Sequence, residues 1–148
     1  MKVLSPVGGR VIPMGEVPDP VFAQEMVGPG AAVLASEAAD AVSPVDGTVT
    51  TLHPHAFVVV SASGLAVLVH LGIDTVKLAG EGFTLHVSKG DTVPAGQPVI
   101  GWDPAAVRGS GYSTVCPVVA LDASKEALSQ LAEPGDIARA DPLFEWRT

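Results

Sequence analysis

The stretch Pro54-His55-Ala56-Phe57-Val58-Val59-Val60-Ser61-Ala62-Ser63-Gly64-Leu65-Ala66-Val67-Leu68-Val69-His70-Leu71-Gly72-Ile73-Asp74 decides the fold class. Val58, Val59 and Val60 form one apolar, β-branched arm and residues 66–69 a second, while Ser61-Ala62-Ser63-Gly64 between them is small and polar. That is the pattern of a β-hairpin, and it carries a histidine on each side. A loop centred on Ala62-Ser63 sets His55 directly across from His70, with Cβ atoms about 4.5 to 5.5 Å apart. A loop centred on Ser63-Gly64 sets His55 opposite Gly72, with His70 its diagonal neighbour at about 7 to 8 Å. In either register residues 55, 57 and 59 share a face with 66, 68 and 70, so the spacing predicts two imidazoles meeting on one sheet surface.

Outward from the hairpin, 16 glycines and 13 prolines divide the chain into short valine-rich segments, the signature of an all-β sandwich or barrel. Strands are expected at residues 3–5, 10–13, 31–35, 48–52, 83–87, 117–122 and 143–147. Residues 21–26 predict a single helical turn with Pro20 near its start. Short helices are also expected at 104–107 and, from composition, at 125–131 before Pro134-Gly135. Ser5-Pro6-Val7-Gly8-Gly9-Arg10-Val11 reappears as Ser43-Pro44-Val45-Asp46-Gly47-Thr48-Val49, which suggests two similar corners in one sheet system. The expectation is one domain over residues 1–148: an antiparallel β-sandwich or distorted barrel with short peripheral helices.

Composition removes several functions. With 47% hydrophobic and 16% charged residues the chain can bury a core, yet no apolar run approaches the roughly 20 residues of a membrane-spanning helix. The start, MKVLSPVGGR, shows no continuous apolar segment of a secretory signal, so a cytoplasmic location and no membrane insertion are expected. A net charge of -8 without a basic stripe argues against nucleic acid and for a protein partner with a basic face. Cys116 is the sole cysteine; TVCPVVA reads as a buried strand with the thiol as a small packed side chain.

The chemistry lies with the histidines. A neutral imidazole offers one unprotonated nitrogen as nucleophile while the other donates to a carbonyl that sets the tautomer, and the Gly72 carbonyl is close in sequence to His70. His53-x-His55 and His70-x-x-x-Asp74 also carry metal-ligand spacings, so a zinc-dependent hydrolase is the competing class. LytM-type zinc peptidases use these two motifs in the reverse order. No metal is required, although the close pair His55 and His70 would accept regulatory or adventitious zinc.

Two family resemblances are legible. Lys89-Gly90-Asp91-Thr92-Val93-Pro94-Ala95-Gly96-Gln97-Pro98-Val99-Ile100 resembles the turns of biotinyl and lipoyl carrier domains, in architecture only, since neither Lys77 nor Lys89 has the flanks of a carrier lysine. His70-Leu71-Gly72-Ile73-Asp74-Thr75-Val76, with Gly80-Glu81-Gly82-Phe83 after it and His55-Ala56-Phe57 before, closely resembles the glucose-type enzyme IIA of the bacterial phosphoenolpyruvate:sugar phosphotransferase system. The similarity runs on through Val17-Pro18-Asp19-Pro20-Val21-Phe22-Ala23, Met26-Val27-Gly28 and Ser43-Pro44-Val45-Asp46-Gly47.

That resemblance implies a phosphocarrier that takes a phosphoryl group from HPr and passes it to a cysteine of enzyme IIB of a IIB/IIC sugar permease, of glucose or N-acetylglucosamine type. It implies that His70 is phosphorylated at Nε2 and that His55 stabilises the transferring group, which suits a reaction demanding positioning and charge stabilisation. Gly72 and His53 are expected to support the site; the enteric relatives have a threonine shortly before the first histidine, where this chain has His53-Pro54-His55, with His53 either a third polar participant or simply an exposed residue. Asp19 and Asp74 match acidic positions that receive an HPr arginine. Val21, Phe22, Met26, Val27, Leu68 and Val76 match the apolar docking rim. A regulatory module switched by its phosphorylation state would coexist with this role.

Overall fold

Glycine and proline recur so often that strands have room for only a few residues each, and fourteen form among the described residues. The computed structural model describes residues 1–36 and 38–147. In order the strands are β1 Lys2–Leu4, β2 Gly9–Ile12, β3 Gly30–Ala35, β4 Ala39–Val42, β5 Gly47–His53, β6 Ala56–Val60 and β7 Ala66–His70. After them come β8 Phe83–Leu85, β9 Thr92–Val93, β10 Pro98–Trp102, β11 Val115–Ala120, β12 Leu128–Ser129, β13 Gly135–Ile137 and β14 Pro142–Trp146. Two short helices, α1 Pro20–Ala23 and α2 Pro104–Gly109, each begin at an Asp-Pro pair. The Asp19 and Asp103 carboxylates accept the backbone N–H groups of Val21 and Ala105 at 2.9 and 3.0 Å, and proline fits the first helical position because its missing N–H would be unpaired there.

The strands make an eight-stranded antiparallel sheet, β13-β2-β3-β11-β7-β6-β5-β9, and two three-stranded sheets, β1-β14-β12 and β4-β10-β8. The sheet is built as two matching halves, β11-β3-β2-β13 on one side and β7-β6-β5-β9 on the other, about the central pair Val69 and Val118. The repeated Ser-Pro-Val segments are where the two halves grip each other. Leu4 N–H donates to the Pro44 carbonyl and Val42 N–H to the Pro6 carbonyl, both at 2.9 Å. The Ser5 hydroxyl donates to Val7 O and the Ser43 hydroxyl to Val45 O, both at 2.7 Å. Gly9 and Gly47 each lie where a Cβ would run into a neighbouring carbonyl, 2.0 Å from Leu34 O and 2.3 Å from Val60 O.

The match extends past the corners. β10 begins and ends on Pro98 and Trp102, and β14 on Pro142 and Trp146; each pairs with the strand that enters its own corner, β4 and β1. One contiguous unit, β4 to β10, is therefore nested in a second made of β1 to β3 and β11 to β14. This nesting corrects the helix expected at 125–131. Only Lys125–Ala127 forms a 3-10 turn, after which Leu128 and Ser129 pair with Trp146 and Glu145, since β12 holds the place that β8 holds in the inner unit. Tertiary pairing outweighs local propensity here.

Between the sheets lies a core of small branched side chains, with Val3, Val33, Val45, Val49, Val59, Val67, Val69 and Val118 at most 1% exposed, together with Phe57, Leu71, Ile100, Leu143 and Phe144. Cys116 is fully buried among them, as expected, and burial pushes its thiol up to about 12, so it is inert at neutral pH. A second cluster lies on the outer face of the large sheet, where the connection 13–29 folds over it. Met14, Val17 and Phe22 from that connection cover Ala32, Val115, Val119 and Ile73. Among the described residues no helix is long and apolar enough to cross a membrane.

The equivalence of the two corners has a measurable consequence. Ser5→Ala and Ser43→Ala each leave a buried carbonyl without its hydroxyl donor, and each should cost about 1 to 2 kcal/mol in urea denaturation. A full cost at one position and none at the other would show that the corners are not energetically equivalent.

Candidate functional site

Three segments build the site. The first is the turn between β5 and β6, where His53 pairs with Ala56 and Pro54 and His55 are the two loop residues. The second is the end of β7, where the chain leaves the sheet at His70 and turns through Gly72 and Asp74, both with positive φ, into the 3-10 turn Thr75–Leu78. The third is the connection 13–29, whose α1 brings Phe22 to 5.4 Å from the His70 ring, centroid to centroid.

The hairpin register differs from both expected ones. Ala56 stands opposite His70, Phe57 opposite Val69 and Val60 opposite Ala66. The loop is centred on Ser63 itself, closed by Ser61 N–H to Leu65 O at 2.9 Å and by the Ser61 hydroxyl accepting the Leu65 N–H at 3.1 Å. Strand alternation would then put 55 on the core face with Phe57 and Val59, away from His70. His55 escapes because it is a turn residue and not a strand residue. Its ring still reaches His70, with centroids 5.1 Å apart and planes at 70°. The two imidazoles meet as expected, by a different route.

His70 is held tightly. Its Nδ1 lies 2.5 Å from the Gly72 carbonyl oxygen, which can only accept, so Nδ1 carries the proton and the neutral ring keeps its lone pair on Nε2. Gly72 is required for that carbonyl's direction: its φ is +79°, and a Cβ would sit 2.7 Å from both Ser113 O and Thr75 Cγ2. Thr75, fully buried, closes the same turn by donating its hydroxyl to Leu71 O at 2.7 Å, and Ile73 N–H donates to Ser113 O at 3.0 Å. Leu71 N–H donates to His55 O at 2.7 Å, tying the two histidine segments together. Thr75 and Ser113 had no role in the sequence reading; a threonine just after the Gly-Ile-Asp turn was the only available signal.

Electrostatics keep both rings neutral at pH 7. Burial pushes His70 below its ordinary 6.5, against the opposing pull of the Gly72 carbonyl and the Asp19 and Asp74 carboxylates. Burial also lowers His55, and the neighbouring His70 and His53 reinforce it, to about 4. His53 is exposed and its ring stacks on His55 with centroids 5.8 Å apart and planes at 23°.

The expected docking residues divide. Val21, Met26 and Val76 are exposed at 42%, 67% and 59%, large apolar side chains on the connection 13–29 and on the 3-10 turn that follows β7. Val27 and Leu68 are half-buried against the outer cluster, and Phe22 belongs to that cluster, touching the site through its ring. Asp19 caps α1, while Asp74 adopts the left-handed conformation and makes no capping bond with its side chain. Among the described residues no group of three or more His, Cys, Asp or Glu side chains could hold a metal ion, so His53, His55, His70 and Asp74 do not assemble the zinc site that a hydrolase would need.

A neutral imidazole with its unprotonated nitrogen at Nε2, a second imidazole beside it and exposed apolar side chains on the adjoining segments suit one class of protein, a group carrier that works through histidine. Residues 1–126 match the family model described as phosphoenolpyruvate-dependent sugar phosphotransferase system, EIIA 1. The chain belongs to this family and is a phosphocarrier, a phosphotransferase component of sugar transport. It is 42% identical over 121 residues to the PTS system glucose-specific EIIA component of Oceanobacillus iheyensis, covering 80% of this chain and 73% of that protein. The structure is similar to the glucose permease IIA from Mycoplasma capricolum, with TM-score 0.88 and 32% identity over 97% of this chain and 94% of that one.

The lowered histidines predict a pH response. The unfolded chain takes up protons near pH 6.5, whereas folded His55 does so only near pH 4, so stability is fully present above 6.5 and declines as pH falls through that window. Urea midpoints should therefore drop between pH 6.5 and 5, and the drop should be shallower in His55→Gln/His70→Gln. Equal slopes for the two proteins would remove these rings as its source.

Proposed function

We propose that His70 accepts the phosphoryl group of phospho-HPr at Nε2 and delivers it to a cysteine of a glucose-type enzyme IIB/IIC permease, in the cytoplasm. The observation that carries this reading is the Nδ1 to Gly72 carbonyl bond, which leaves Nε2 unprotonated beside a second imidazole. The Nε2 lone pair attacks phosphorus as the donor nitrogen–phosphorus bond breaks, its electron pair returning to the donor imidazole. The Nδ1 proton stays in place, and the positive charge gained by the ring is spread into the Gly72 carbonyl. In the second transfer a thiolate attacks phosphorus and the pair returns to Nε2, restoring neutral His70.

His55 supplies an N–H to the equatorial oxygens in both transfers, where charge develops and water is partly excluded. A ring with its pKa near 4 is not a general acid at neutral pH. Asp19 and Asp74 would repel the arriving dianion, so their place is in recognising a basic side chain of the partner. Val21, Met26 and Val76 provide the apolar contact for donor and acceptor in turn, with Phe22, Val27 and Leu68 beneath. Glucose is taken from the relatives' names, because the sugar meets only the membrane component.

Intact mass after incubation with phosphoenolpyruvate, enzyme I and HPr should show one acid-labile phosphoryl group. In His70→Gln uptake should fall to background; in His55→Gln acceptance should persist while transfer to IIB drops about 100-fold or more, the cost of losing a donor aimed at developing charge. Phosphate uptake by His70→Gln at the wild-type level would sink the assignment.

A further inference from the structure

Unlike His70, His55 has no hydrogen bond to either ring nitrogen among the described residues. The torsion that orients an imidazole is broad and roughly two-fold, so an unanchored ring can turn over and exchange its N–H edge for its lone pair. Two contacts oppose that: the edge-on approach to His70 at 5.1 Å and the parallel face of His53 at 5.8 Å. We propose that His53 is a positioning residue, a stacking platform that holds the His55 ring with one edge toward the phosphoryl group on His70. The inference rests on the phosphocarrier roles given above to His70 and His55.

The backbone is built for this stack. His53 closes the β5–β6 ladder opposite Ala56, and only Pro54 separates it from His55. Pro54 fixes its own φ, and its ring lies against Gly80, where an added Cβ would be 3.4 Å from Pro54 Cγ. The two imidazoles thus hang from a tight, braced turn, and neither can swing away without the other losing its face. Ring faces at this separation and tilt attract one another in addition to excluding water from between them.

The charged and titratable groups around the stack are few. His70 faces His55 from β7, Asp19 comes from the connection that carries α1, Asp74 from the turn after β7, and Glu81 follows the glycine against Pro54. His53 stacks on His55 from the turn they share, and its nearness opposes protonation of His55.

Two variants separate ring from charge. His53→Ala removes both, and His53→Phe keeps an aromatic face without a titrating nitrogen. In single-turnover assays the ratio of onward transfer to acceptance should fall about tenfold in His53→Ala and return to near wild type in His53→Phe. In the unphosphorylated protein, NMR titration should show the His55 midpoint rising in both variants, with ring-to-ring cross-peaks between positions 53 and 55 in wild type and in His53→Phe. A wild-type transfer ratio in His53→Ala, or a ratio in His53→Phe as low as in His53→Ala, would overturn the platform. The cross-peak and titration arms need no phosphoryl donor. Wild-type protein that takes no phosphate would therefore refute the carrier reading, whereas absent cross-peaks would refute the stack alone.

Discussion

The reciprocal pair of hydrogen bonds between the two Ser-Pro-Val corners is the constraint on which the architecture depends. Each corner uses a buried serine hydroxyl to hold its own turn and lends a proline carbonyl to the strand entering the other. Proline suits that exchange, since it offers a carbonyl and has no N–H that would need an acceptor in return. Once these corners interlock, the strands leaving them continue into a common sheet, and the two small sheets close over it from opposite halves. The core is then a layer of valines seen twice.

The repeat of one arrangement in the two units explains where the site is and why there is one of it. The connection between β5 and β6 is the two-residue turn that carries His55, while its counterpart between β2 and β3 spans residues 13–29 and folds over the sheet. Registers match position by position: Ala56 faces His70 in the inner unit, and Gly30 faces Val119 in the outer. Val119 thus occupies the place that His70 holds in the inner unit. It is completely buried by the long connection that brings Phe22 across to His70. A short turn exposes one imidazole; a long one seals the equivalent position and builds the apolar rim.

Much of this was legible in advance. The hairpin, its two histidines, the Gly72 carbonyl as acceptor and the helical turn after Asp19 all follow from local composition, because each depends on residues close in sequence. The Ser5 and Ser43 echo was visible, but its extension to Pro98–Trp102 and Pro142–Trp146 was not, since nesting scatters the second copy over both ends of the chain. Register failed for a narrower reason. Composition marks 61–64 as loop, but parity depends on Ser61 closing onto Leu65 through backbone and hydroxyl together, and one residue of slip reverses every face. His55 stayed beside His70 only because a turn residue is free of alternation. Composition and spacing could not set Phe22 against His70, since that contact joins distant parts of the chain; only the resemblance put Phe22 on the rim.

Each unit also closes where it opens. Ala39 pairs with Trp102 at the mouth of the inner unit, and Lys2 with Glu145 at the mouth of the outer. Entry and exit strands that lie hydrogen-bonded side by side make a segment portable: it can be spliced into a host chain at a single point without prising the host apart. The inner unit already sits inside the outer one in this way. The same property makes the whole fold suited to being carried within a longer polypeptide, its histidine intact, wherever a neighbouring module needs a phosphoryl donor at close range.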